Sequence, residues 1–180
     1  MELEAWHDFH VIVGGSAAAL VGLTFVVIAI APDLGARSKQ NVRAFISPTV
    51  GFFASVLVIA ALMTMPAPPV LRGIAVACVG AAGASQLVIA HVPRQLHTHE
   101  VSLGIEDLLC YLVLPLVAYL AVLGAGVALA CGKAEAPTVL GGAVVTLLAL
   151  GLRNAWDLVT FLARMHGRHG EPDDHGMRES

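Results

Sequence analysis

The segment FHVIVGGSAAALVGLTFVVIAIA, Phe9 to Ala31, decides the fold class. It contains no Asp, Glu, Lys or Arg. An α-helix rises about 1.5 Å per residue, so about 20 such residues cross a hydrocarbon core of about 30 Å. Four more blocks of the same kind follow, at about Ser47 to Met65, Gly73 to Val92, Leu108 to Cys131 and Thr138 to Arg164. Between them stand residues that end helices: Pro32 and Asp33, then Pro66, Pro68 and Pro69, then Pro93, then Gly132 and Pro137. No ten-residue alternation of apolar and polar residues suggests barrel strands. The expected fold is all-α, a polytopic transmembrane bundle of about five helices over residues 1–164. Residues 165–180 read as a polar, disordered cytoplasmic tail.

Composition agrees. Hydrophobic residues make up 57% of the chain and charged residues 13%, where a soluble domain carries about 25% charged residues. The net charge of −3 offers no basic surface for nucleic acid. No phosphate-binding loop, dinucleotide fingerprint, zinc-protease motif or nucleophile elbow is present. The three cysteines, Cys78, Cys110 and Cys131, lie in or beside apolar blocks without C-x-x-C spacing and read as small buried side chains. Met1 to Asp8 holds no Lys or Arg, so the first block reads as a retained helix and not as a cleaved signal.

Orientation follows from basic residues near the span ends. Arg37, Lys39 and Arg43 follow the first block, Arg94 the third, and Arg164, Arg168 and Arg178 the fifth, with Arg153 near that same end. The opposite side has Arg72 and Lys133. The expected location is the cell membrane, with the N-terminus outside and the C-terminus in the cytoplasm. Trp6 and Trp156 fit the two interfaces.

Lipid gives apolar helices no reason to associate, so small residues that let backbones approach become informative. Gly14, Ala18 and Gly22 repeat at four-residue spacing and read as a helix-contact stripe. Gly73, Ala77, Ala81 and Ser85 form a second, and Gly126 with Ala130 a third.

Polar groups inside such blocks need a reason. Arg153, Asn154 and Asp157 sit in the fifth block, with Arg153 roughly 22 Å from its outer start. Glu106 and Asp107 open the fourth block at the same membrane face, and His91 closes the third there. Pro115 is expected to kink the fourth block and to free an acceptor near that end. These six residues form the candidate polar cluster. His7 and His10 share a helix face and are the metal-binding pair at the outer edge, although interfacial solvation is the expected role and no metal is assigned. No cofactor is expected, because His10 and His91 fall on opposite faces of the membrane and do not suit a haem.

Trp6-His7-Asp8-Phe9, the run Val13 to Val26, and Arg153-Asn154-Ala155-Trp156-Asp157-Leu158 resemble a family of small bacterial multi-pass membrane proteins. Some members carry the label of modulators of the FtsH protease. The known modulators of that protease have seven helices, more than this chain has room for, so the label is not carried over. The resemblance implies a bacterial membrane location and transfers no catalytic or ligand residue.

Short loops and the lack of a catalytic constellation point to a non-enzymatic interaction or regulatory protein. The expected partners are the lipid bilayer and either a second copy of the chain or another membrane protein. The alternative is a small oligomeric channel or transporter built on the polar cluster.

Overall fold

A computed structural model describes residues 5–30, 36–97 and 112–168. Among these residues the chain is all-helical: α1 His7–Ile30, α2 Ala36–Thr64, α3 Pro69–His97, α4 Leu114–Ala130 and α5 Ala136–Arg168. Three of them, α1, α3 and α5, are long and apolar enough to cross a membrane. The turn Met65 to Pro68 reverses the chain between α2 and α3, and Cys131 to Glu135 reverses it between α4 and α5.

Prolines behave differently from the sequence reading. α2 begins at Ala36 instead of about Ser47 and runs through Pro48, so Arg37, Lys39 and Arg43 stand on its first turns and not in a loop. α3 continues through Pro93 to His97. Each proline removes one backbone bond, and a long apolar helix packed on its neighbours tolerates that loss. Pro115 is the second residue of the regular α4 helix, and Leu112 and Val113 just before it are π-helical, Val113 at φ −68° and ψ −50°. A π turn beside a proline is one way a helix takes up the lost bond. Leu108 to Tyr111, where the fourth span was expected to begin, lie outside the described residues, and α5 carries four residues of the expected tail, 165–168.

Gly132 ends α4 as expected. Its φ of +70° suits glycine. The Lys133 N–H donates to the Ala128 carbonyl and the Gly132 N–H to that of Leu129, closing the helix end in a Schellman motif. At the other turn the Arg72 guanidinium donates to the Ala67 carbonyl at 2.9 Å.

α5 is the central helix. Half of its apolar window is buried, against 28% for α1 and for α3. It packs on α2 and on α4, while α1 docks mainly on α2 and α3 mainly on α4. Val56, Ile59, Val122, Leu140, Val144 and Leu147 fill the centre.

The α3–α4 pair is the tightest. A Cβ added to Gly73 would lie 2.6 Å from the Gly126 carbonyl oxygen, and one added to Gly126 would lie 2.8 Å from the Gly73 carbonyl oxygen. Ala77 and Ala130 complete this reciprocal contact. Along α3 the contact then continues through Gly80 and Gly83, not through Ala81 and Ser85, which are exposed. The Tyr119 ring lies where a Cβ of Gly83 would stand. Its hydroxyl meets Ser55 Oγ of α2 at 2.9 Å. Because Ser55 donates to the Gly51 carbonyl at 2.8 Å, the Tyr119 hydroxyl is the donor to Ser55. One side chain thus ties α4 to α2 and α3.

Gly126→Ala should destabilise the protein by about 1–3 kcal/mol, the usual cost of overpacking. Gly124→Ala, on the open side of α4 with nothing within 4 Å, should be neutral or slightly stabilising in the same thermal unfolding assay. Equal effects would refute the α3–α4 contact. Ser55→Ala strands a buried hydroxyl and should cost about 1–3 kcal/mol, whereas Tyr119→Phe, which leaves Ser55 bonded to Gly51, should cost about 0.5–1.5 kcal/mol. The reverse ranking would show that the donor assignment is wrong.

Candidate functional site

Polar residues collect at two levels of the described bundle. The buried polar side chains are His10, Thr24, Thr49 and Asn154. The register of the helices shows how they are placed. Gly14 meets Ala60, and α1 and α2 run antiparallel, so Thr24 comes level with Val50, beside Thr49. Gly151 meets Phe53, so Asn154 of α5 comes level with the same Val50. One buried polar layer therefore crosses α1, α2 and α5. Thr24 donates its hydroxyl to the Leu20 carbonyl at 2.8 Å, which satisfies it within its own helix.

Of the expected cluster, α5 supplies three members. Asn154 points into the bundle, Arg153 is exposed and Asp157 is half-buried. Arg153 and Asp157 each have an interaction partner. Trp156 is exposed on the same stretch, as an interfacial anchor would be. The backbone of His91 belongs to α3, but its side chain, like all of Glu106 and Asp107, lies outside the described residues. Thr24 and Thr49 were missed by sequence reasoning. The signal was available: Thr24 follows buried Ala17 by seven residues, and Thr49 precedes buried Phe53 and Val56 at four and seven.

The second level is the first turns of α1. His10 is 1% exposed. Its Nδ1 lies 2.7 Å from the Trp6 carbonyl oxygen, which only accepts, so Nδ1 carries the proton. Nε2 is buried with no hydrogen-bond partner, an arrangement that ordinarily costs about 1–3 kcal/mol. Phe9 packs edge-on against the imidazole with centroids 5.2 Å apart, and Trp6 packs edge-on against Phe9 at 5.4 Å. The Trp6 ring rests over Gly141 of α5, where a Cβ would come within 2.6 Å of it. His7 is exposed while His10 faces inward, so the two do not converge as a metal pair. Among the described residues no group of three or more His, Cys, Asp or Glu is placed to hold a metal ion.

Two other expectations change. Cys78 and Cys131 are exposed, not buried; they line an apolar groove of about 360 Å³ between α3 and α4 with Ile74, Ala81, Leu123 and Val127. Cys110 lies outside the described residues. In the stripe Gly14, Ala18, Gly22, only Gly14 is buried within the chain, with Ala60 filling the place of its missing Cβ. Ala18 and Gly22 are exposed, because the buried face of α1 runs through His10, Val13, Gly14, Ala17 and Thr24.

No family model, curated protein or solved structure matches this chain.

If α5 crosses a bilayer as its length and composition allow, an uncompensated Arg153 would cost on the order of 3 kcal/mol on insertion scales. The expected partners are Asp157, one turn further along α5, and Glu106 or Asp107, which lie outside the described residues. Arg153→Glu should lower thermal stability, and adding Asp107→Arg or Glu106→Arg should recover part of the loss. Recovery in neither double variant would remove pairing between these segments.

Proposed function

We propose that this chain is a five-span integral membrane protein that acts by associating with another membrane-embedded helix and not by catalysis. The observation that carries the reading is the exposed face of α1. Val11, Gly15, Ala18, Gly22 and Val26 fall on one side of that helix and are all exposed. Over its first three turns, Val11 to Gly22, this strip carries nothing larger than valine, so a neighbouring backbone can come close there before Phe25 closes it. Among the described residues nothing needs Gly22 to be small, since a Cβ there would meet nothing within 4 Å, and Ala18 is exposed. The core supports the same reading, being mostly apolar among the described residues, with His10, Thr24, Thr49 and Asn154 as its buried polar side chains there.

The basic-residue asymmetry supports an N-terminus outside and a C-terminus in the cytoplasm. The resemblance of both chain ends to small bacterial multi-pass proteins supports a bacterial cell membrane. A second reading, a small oligomeric channel or transporter, draws on the layer of Thr24, Thr49 and Asn154 beside Arg153, because polar groups at one depth are what a permeation path would use.

Native mass spectrometry from mild detergent tests association. The wild-type chain should leave the membrane as an oligomer or with a second membrane protein. Ala18→Leu and Gly22→Leu should abolish that complex yet leave monomer stability within about 0.5 kcal/mol, because both positions face outward. An unchanged complex in both variants would overturn the proposal. For topology, with native cysteines replaced, Ala134→Cys should label from outside and Ser38→Cys should not. The opposite pattern would invert the orientation.

A further inference from the structure

We infer that Trp6, just before α1, and Phe9 in its first turn form a lid that opens and closes over His10 and gates small molecules from that end of the bundle to its Nε2. Three observations carry this, and none depends on the association reading. His10 is almost wholly enclosed, yet Nε2 has no partner. A buried nitrogen in that state asks for a visitor, because native structures pair nearly all such atoms. Its chemistry is defined: with Nδ1–H donating to the Trp6 carbonyl, the neutral ring leaves Nε2 as a bare lone pair, an acceptor and a nucleophile.

The cover itself is thin. Trp6 is only half-buried and precedes the regular helix. It meets α5 at Gly141, where the Phe9 ring edge also comes close, and α1 otherwise touches α5 little. Phe9 stands between Trp6 and His10 in edge-on contact with each neighbouring ring. In this reading the Trp6 indole lifts off Gly141 and the Phe9 ring turns aside with it, while α2 and α5 stay in place. The Trp6 carbonyl also accepts the backbone N–H of His10 at 3.1 Å, so the lid and the orientation of the histidine are joined at one atom. No titratable side chain of the adjoining parts of α2 (Ala44 to Thr64) or α5 (Ala136 to Leu152) faces this site, since those stretches contain none. His7 and Asp8, both exposed, are the titratable neighbours on α1 itself.

The test uses the full chain in detergent micelles with diethyl pyrocarbonate, a small acylating agent that modifies neutral imidazole nitrogen, read peptide by peptide by mass spectrometry. In the wild type, His10 should react measurably but more slowly than His7. Gly141→Ala, which pushes the indole out of its notch, should speed modification of His10 about tenfold, the change that follows when about 1.4 kcal/mol of lid contact is lost. His7 should keep its rate. Trp6→Ala, which adds no bulk and so keeps the packing of α5, should do the same if Gly141→Ala disturbs folding. A wild-type His10 that reacts as fast as His7 would show that no lid exists. A His10 equally protected in wild type, Gly141→Ala and Trp6→Ala would show a sealed core and overturn the inference.

Discussion

The close approach of two backbones sets the rest of this structure. Gly73 and Gly126 meet the opposite backbone so tightly that neither position has room for a Cβ. Apolar side chains gain little by leaving lipid for one another, so contact of this kind, and not the hydrophobic effect, is what holds helices together in a bilayer. The crossing fixes the rotation of α3, which presents Gly80 and Gly83 to α4. That notch receives Tyr119, and Tyr119 reaches across to Ser55. α2 is thereby positioned to meet α5, and α1 takes the remaining side of α2. The chain of dependence runs from glycine spacing to helix rotation to the Tyr119–Ser55 hydrogen bond between α4 and α2.

The same economy governs the polar residues. Ser16, Thr24, Ser55, Thr64 and Thr146 each return their hydroxyls to a carbonyl one turn back, which makes them inexpensive in an apolar setting. His10 differs because only one of its two ring nitrogens is satisfied. It sits at the end of the bundle opposite to Arg153, so the two polar levels are separate features of the fold. Arg153 belongs to a charged helix end, and His10 to an aromatic cap.

Much of this was legible in the sequence. Helical class and the α4 stop at Gly132 follow from block length and from glycine's tolerance of positive φ. Gly73 with Ala77, and Gly126 with Ala130, were recognisable as contact residues from spacing alone. Pro93 was misread as a helix end, because a long helix packed on its neighbours can absorb one lost bond and the local sequence does not say when it will. The α1 stripe was misjudged for a related reason. Gly14, Ala18 and Gly22 align on the helix, but which face turns inward is decided by partners, and Ala60 selects Gly14 while leaving the others outside. Candidate residues were legible where chemistry was unusual, as at Arg153 and Asn154. They were not at Thr24 and Thr49, whose hydroxyls look like ordinary helix residues until burial is known.

The α3–α4 crossing carries the account, and a single distance in a lipid bilayer tests it. Rotational-echo solid-state NMR between a 15N label at Ala77 and a 13Cα label at Gly126 measures it directly. An ideal Cβ on Gly126 would lie under 3.0 Å from the Ala77 nitrogen, and with a carbon–carbon bond of about 1.5 Å the two labelled atoms should be within about 4.5 Å. Strong dephasing at that distance is the predicted result. Dephasing that requires about 8 Å or more, the ordinary separation of packed helices, would contradict it.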